Sequence, residues 1–164
     1  MTTLQVVGGS CLIDDADVAL TAGLHMRIRK VGSAESPISY VATKVNGKTI
    51  GLHRALLGDP DGFVVDHING DGLDNRRVNL RICSHSENMQ NRRIHGSNKC
   101  GEKGVYLDAR RGLYRATIQV LGKKIALGSF RVLSEAAAAY ELASKRYHGA
   151  FARLTPATTG AVNA

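Results

Sequence analysis

Three side chains near the middle of the chain have the chemistry for metal-assisted hydrolysis. Asp66 and His67 are adjacent in the run Val65-Asp66-His67-Ile68-Asn69-Gly70-Asp71, and Asn88 follows further along. A carboxylate and an amide oxygen are hard donors, suited to Mg²⁺ or Mn²⁺, ions that keep several waters and accept phosphate oxygens. A histidine beside them, not bound to the metal, can take a proton from water near neutral pH. With the ion stabilising charge on a phosphate and its leaving oxygen, the set fits phosphodiester hydrolysis.

Those residues need a scaffold that brings them together. Phe63 to Ile68 reads as a strand, Asn69 to Arg77 as a long polar loop, and Val78 to Cys83 as the return strand. Ser84 and Glu87 form a capping box that opens a helix running to about Arg93. Asp66 and His67 then lie at the end of the first strand, and Asn88 in the first turns of the helix can face them. Upstream, Ile38 to Val45, Asn46-Gly47 and Lys48 to His53 read as a tight hairpin. A short helical turn from His53 to Leu57 stops at Gly58-Asp59-Pro60. Of the first 37 residues, Asp15 to Leu24 suggests a short helix and Met26 to Val31 an edge strand. Asp14, Asp15 and Asp17 are expected to complement that helix's dipole; the role of residues 1–37 is otherwise open.

The stretch 38–93 resembles the HNH endonuclease motif of the homing-endonuclease type. Its pattern, V-D-H-x-[DN]-G, then N-L-R, then N, is met by VDHINGDGLDNRRVNLRICSHSENMQN, with His53-Arg54 ahead of it. The resemblance implies a ββα-metal domain with His67 as general base and one divalent ion per active site on Asp66 and Asn88. It also makes Asn79 the central catalytic-motif residue, whose side chain ties the loop between the two strands. Asn88 stands where a third motif histidine could be, which leaves oxygen donors and disfavours zinc. Products ending in 5′-phosphate and 3′-hydroxyl, and a phage-borne or otherwise mobile gene, are further implications.

A second module follows a polar, glycine-containing stretch from Gly96 to Gly104. Val105 to Leu107, Leu113 to Leu121 and Lys124 to Phe130 read as three strands, and Ser134 is expected to cap a final helix. Ala136, Ala139, Tyr140, Ala143 and Tyr147 fall on one apolar face of that helix. Alternation sends Tyr114, Ala116, Ile118 and Val120 to one side of the middle strand and Arg115, Thr117 and Gln119 to the other. These pieces, together with Gly122-Lys123-Lys124, Leu127-Gly128-Ser129-Phe130, Glu135-Ala136-Ala137 and Phe151-Ala152-Arg153-Leu154, resemble an AP2-type DNA-binding domain. Tyr114 stands where that family usually carries Trp. The resemblance implies a three-stranded sheet in the DNA major groove with the helix behind it.

The charge supports a polyanionic partner. The 164 residues hold 22 Lys and Arg against 14 Asp and Glu, a net +8. Residues 1–73 are net −2, residues 74–125 net +8 and residues 126–164 net +2, so the excess forms a belt rather than a uniform coat. Within it, Arg76, Arg77, Arg81, Arg92 and Arg93 are expected to hold the DNA backbone beside the catalytic centre. Arg110, Arg111, Arg115, Thr117, Gln119, Lys123 and Lys124 are expected to contact DNA from the second module. Three scattered cysteines exclude a disulfide framework. No apolar run approaches the ~20 residues of a membrane span, and the N-terminus has no signal-peptide pattern.

The expected fold class is therefore α+β: an HNH nuclease domain over 38–95, a linker over 96–103, an AP2-like sheet and helix over 104–154, and a flexible tail over 155–164. The expected function is metal-dependent endonuclease action on double-stranded DNA, by a monomer in the cytoplasm, with the target chosen by the AP2-like domain. Two readings compete with it: a non-catalytic DNA-binding regulator that retains the HNH fold, and a binder of structured RNA.

Overall fold

A computed structural model describes residues 1–32, 37–92, 94 and 97–152. The chain divides into two compact units, 1–88 and 89–164.

The first unit begins with a hairpin of β1 (Thr2–Val6) and β2 (Gly9–Ile13). A 3₁₀ turn at Asp15–Asp17 and the single-turn helix α1 (Val18–Thr21) follow. β3 (Arg27–Val31), β4 (Ile38–Val45) and β5 (Lys48–Gly51) form an antiparallel sheet in that order. Between β4 and β5, Asn46 and Gly47 both take positive φ, 49° and 79°, the conformation a two-residue hairpin turn demands. The chain leaves the sheet two residues earlier than the sequence suggests, because α2 (Leu52–Leu56) begins directly after Gly51 and buries Leu52 and Leu56. β6 (Val64–His67) and β7 (Leu80–Cys83) then pair antiparallel, with Asp66 opposite Arg81 and His67 opposite Leu80. Val78 and Asn79, expected as the start of the return strand, belong instead to a 3₁₀ turn at Arg77–Asn79. The helix α3 (His85–Gln90) completes the order strand, loop, strand, helix. It ends before the expected Arg93, which lies outside the described residues, as does His95.

The first hairpin has a clear structural task. Cys11 and Ile13 are buried with Val41, Leu52, Leu56, Val65 and Leu80 in one cluster, so β2 shares a core with the β6–β7 pair. The backbone of Leu12 also pairs with the long loop, donating to Leu73 O at 2.8 Å and accepting from Asn75 N at 2.8 Å. The early aspartates anchor this end rather than serving a dipole. Asp17 is buried against the Arg77 guanidinium, Asp14 accepts from the Arg77 N–H, and Asp15 holds the N-terminal amine.

The second unit is a three-stranded antiparallel sheet in the order β10–β9–β8, with one long helix on it. Its elements are β8 (Val105–Asp108), β9 (Leu113–Val120), β10 (Lys123–Phe130) and α4 (Leu133–His148). Ala116 and Ile118 of β9 pack against Ala136, Tyr140 and Ala143 of α4, with Tyr114 and Val120 at the margin. The helix starts at Leu133 with Val132 at its N-cap and no side-chain cap, so Ser134 lies inside it. Tyr147 is exposed, and Ser144 and His148 occupy the buried positions of the last turns. The reason is polar: the His148 ring nitrogen Nε2 donates to the Gln119 carbonyl at 2.9 Å, fastening the end of α4 to β9. Within the expected linker, Asn98 donates to the carbonyls of Glu102 and Val105 and accepts from the Cys100 N–H.

Gly104 makes a sharp test of this packing. Its φ is +71°, and a Cβ there would overlap the Tyr140 ring and meet Thr117 O at 2.6 Å. Gly122 also has positive φ, +78°, but open space around it. Gly104→Ala is expected to destabilise the second unit by about 2–4 kcal/mol, through overpacking added to left-handed strain. Gly122→Ala carries only the strain and is expected to cost about 1 kcal/mol. Thermal melts of the two variants check the order.

Candidate active site

Alternation along β6 sends Asp66 and His67 to opposite sides of the strand. Asp66 faces its cross-strand partner Arg81, whose Nε and Nη2 both donate to Oδ2, at 3.0 and 2.7 Å. Their side chains are only 10% and 14% exposed. A carboxylate so enclosed needs its counter-charge: removing one member of such a pair costs about 3–5 kcal/mol.

His67 points into the unit and is buried. Its Nε2 is 3.3 Å from Oδ1 of Asn75, a residue with no exposed surface. An amide oxygen only accepts, so the proton of the neutral ring lies on Nε2 and the lone pair on Nδ1. The ring is further confined by His53, edge-on with centroids 4.7 Å apart, and by Tyr40 at 5.8 Å from both imidazoles. Burial pushes the His67 pKa below the ordinary histidine value. The Asn75 hydrogen bond and the charges of Asp66, Asp71 and Asp74 act in the opposite direction. His53 goes further, down to about 3, through burial first and then the neighbouring His67 and Arg54.

The loop after His67 is held by its own polar groups. Asn79 Nδ2 donates to Asp74 O at 2.7 Å, and Asn79 Oδ1 accepts from Asn69 N at 3.0 Å. Asn69 reaches across to the Asp74 carboxylate at 3.0 Å, and Arg76 clamps that same carboxylate with Nε and Nη2, both at 2.7 Å. Asp71 and Leu73 N–H groups are taken by the side chains of Asn69 and Asp71, the local bonding for which Asn and Asp suit tight loops. Gly72 lets the loop lie against β4, since a Cβ there would collide with Ser39 O and the Tyr40 ring. On the other side, Arg54 bonds Asp59, Pro60 O and Phe63 O, latching α2 to the segment that enters β6.

Helix α3 starts on the capping box read from the sequence. Ser84 N and Oγ donate to Glu87 Oε2 at 2.8 and 2.7 Å, and Glu87 N donates to Ser84 Oγ at 3.2 Å. Asn88 sits one turn in, half-buried, its N–H on Ser84 O at 3.0 Å. No group of three or more His, Cys, Asp or Glu side chains suited to a metal occurs among the described residues. Asp66 and Asn88 would offer a carboxylate and an amide oxygen, donors for a hard ion that completes its shell with water and phosphate oxygens, and such an ion would share the Asp66 carboxylate with Arg81.

The remaining sequence candidates are distributed differently from one another. Arg76, Arg77 and Arg81 place their guanidinium groups on Asp74, Asp17 and Asp66, a structural task the sequence reading did not assign. Arg92 is exposed, and Arg93 lies outside the described residues. In the second unit Arg110 and Arg111 occupy the exposed β8–β9 turn, and Arg115 pairs with Asp108 at 3.2 Å. Gln119 lies opposite Lys124 and Arg115 opposite Tyr106, so Arg115, Thr117, Gln119 and Lys124 share the face away from α4, with Lys124 over the Tyr106 ring. Lys123 pairs with Val120 at the start of β10. Sequence reasoning missed Asn75 and Tyr40 and noticed His53 only as half of a motif pair. Asn75 was visible as a polar residue in the loop, but nothing in its spacing aimed it at His67.

Comparison with known proteins adds to this geometry. Residues 58–90, the stretch holding Asp66, His67, Asn79 and Asn88, match the HNH endonuclease family. The chain is 34% identical over 94 residues to Protein 3.8 of Escherichia phage T7, an alignment spanning 57% of this chain and 77% of that protein. It belongs to the same family as that phage protein. No solved structure matches the chain.

The depressed His53 pKa has a measurable consequence. Folded His53 stays neutral, whereas an unfolded chain takes up a proton near the ordinary value of 6.5. Between pH 6.5 and about 3 the unfolded state therefore binds more protons, and stability falls as pH is lowered through that window. His53→Phe keeps a ring and removes the titration, so its stability–pH slope there should be shallower by up to ~1.4 kcal/mol per pH unit. Urea midpoints across the window check it; equal slopes for variant and wild type contradict it.

Proposed function

We propose that the chain is a metal-dependent endonuclease that hydrolyses phosphodiester bonds of double-stranded DNA, with His67 as general base. The observation that carries this reading is the confinement of His67. A buried, neutral imidazole is fixed by Asn75, His53 and Tyr40, next to Asp66, inside the stretch that matches HNH endonucleases. Asp66 and Asn88 would hold one divalent ion, Mg²⁺ or Mn²⁺, which stabilises charge on the scissile phosphate and on the departing oxygen. His67 Nδ1 takes a proton from the attacking water as its oxygen bonds to phosphorus. The bond from phosphorus to the 3′ oxygen breaks with its electron pair on that oxygen, which takes a proton from solvent water, leaving 5′-phosphate and 3′-hydroxyl ends. Asn79 acts indirectly, by holding the loop that carries Asn75.

The second unit is assigned an AP2-like role, with target choice in a homing-type enzyme. Its face bearing Arg115, Thr117, Gln119 and Lys124, flanked by Arg110, Arg111 and Lys123, offers phosphate contacts and base-edge donors to a major groove. Arg92 and Arg93 are assigned to backbone phosphates. A phage-borne gene, as in the relative from phage T7, would place the protein in the host cytoplasm.

Relaxation of supercoiled plasmid by the purified protein tests the reading. Wild type is expected to nick with Mg²⁺ or Mn²⁺ and to stop with EDTA. His67→Ala should lower the rate by about 10²–10⁴-fold, the usual contribution of a positioned general base, with duplex binding retained. Wild type that binds duplex DNA yet leaves plasmids carrying its own genomic sequences intact would make the protein a non-catalytic DNA-binding regulator.

A further inference from the structure

The cations of the first unit fall into two groups. Arg54, Arg76, Arg77 and Arg81 each sit on a carboxylate of the same unit. Arg27, Arg29, Lys30, Lys44 and Lys48 are exposed and make no ion pair among the described residues. All five lie on β3, β4 and β5, and these strands contain no acidic residue. The slightly acidic total of residues 1–73 therefore conceals a basic sheet.

Register sorts the five by face. Arg27 pairs with Ala42 and Arg29 with Tyr40, while Lys44 follows Ala42 by two positions. Cross-strand partners and residues two apart share a side, so Arg27, Arg29, Tyr40, Ala42 and Lys44 form one face. Lys30 and Lys48 belong to the other. On the first face lies an open groove of about 470 Å³, with Ala42, Arg27, Lys44 and Thr49 among its lining residues. At the other end of the row stands Tyr40, whose ring packs against His67. From Tyr40 to Lys44 the strand advances ~13 Å. Each DNA strand carries one phosphate per ~3.4 Å of helix axis, so the row faces about four nucleotides of backbone.

We propose that this face of the β3–β4–β5 sheet, carrying Arg27, Arg29 and Lys44, is the surface on which the first unit holds the duplex DNA backbone, leading from the Ala42 groove to the active site at Tyr40 and His67. The assignment rests on the nuclease reading for its substrate. It gives the sheet a task that the ion-paired Arg76, Arg77 and Arg81 are poorly placed to perform, because a guanidinium already engaged by a carboxylate offers fewer donors and less net charge to a phosphate. The partner is recognised by charge and spacing, so this face supplies affinity and orientation rather than sequence preference.

The test uses the full chain and a fluorescently labelled duplex, with affinity measured by anisotropy across a salt series. The triple variant Arg27→Ala/Arg29→Ala/Lys44→Ala is expected to weaken binding and to make the slope of log affinity against log salt shallower by about 2–3, at ~0.9 for each phosphate no longer neutralised. Lys30→Ala/Lys48→Ala, which removes charge from the opposite face, should leave the slope as in wild type. Circular dichroism melts of both variants establish that they fold, and the single reversal Arg29→Glu gives a second measure with less change to the surface. A triple variant that keeps the wild-type slope, or a Lys30/Lys48 variant that loses as much, overturns the assignment. Plasmid nicking separates the two readings. A wild type that nicks while the triple variant keeps its slope refutes the surface alone. A wild type that never nicks while the triple variant loses slope refutes the nuclease alone. A wild type that does not bind duplex DNA refutes both.

Discussion

The first unit depends on how the segment between β6 and β7 is held in place. It has few apolar side chains to bury, so the hydrophobic effect does little to order it. Order comes instead from Asn79, whose amide bridges Asn69 N and Asp74 O, and from Leu12, whose backbone bonds Leu73 and Asn75. Of these, the bond from Asn79 to Asp74 O is buried. Remove either set and Asn75 no longer has a fixed position, which releases the imidazole of His67. The N-terminal hairpin is in this sense part of the site, although none of its side chains does chemistry.

The need to compensate buried charge explains where the carboxylates went. Buried acidic side chains are tolerated only when paired, and here each has an arginine from nearby: Asp17 with Arg77, Asp66 with Arg81, Asp74 with Arg76. A cluster of arginines in the sequence thus served the architecture of this unit. Positive charge unengaged by carboxylates lies elsewhere, on the β3–β4–β5 sheet and on the outer face of the second unit.

The sequence made legible what depends on local pattern. The Asn46-Gly47 hairpin, the Ser84–Glu87 capping box, the two strands around the loop and the alternation of β9 all follow from periodicity and turn chemistry, and the structure shows each of them. Contacts between distant segments were not legible. Nothing local announces that Leu12 pairs with the loop sixty residues on, or that Tyr40 lies on His67. Net charge counted along the chain hid the basic sheet, because eight acidic residues among the first 73 outweighed it in the sum, the three aspartates before α1 among them being consumed structurally elsewhere. At the end of α4, a pattern of apolar spacing pointed to Tyr147, but the hydrogen bond from His148 to Gln119 set which face turned inward. A buried polar contact outweighed the apolar stripe there, since an unmet buried donor costs about 1–3 kcal/mol.

In the proposed mechanism His67 has to be neutral before it accepts a proton, and its surroundings pull both ways. Asp66, Asp71 and Asp74 favour the imidazolium. Burial acts against them and prevails, so the His67 pKa lies below the ordinary value. The adjoining His53 is pushed down to about 3 and stays a neutral aromatic wall across the physiological range. Burial thus lets a histidine sit beside acidic groups with its pKa still below the ordinary value. On the proposed surface, a DNA backbone held along Arg27, Arg29 and Lys44 would bring its negative charge toward that ring together with the cations that hold it.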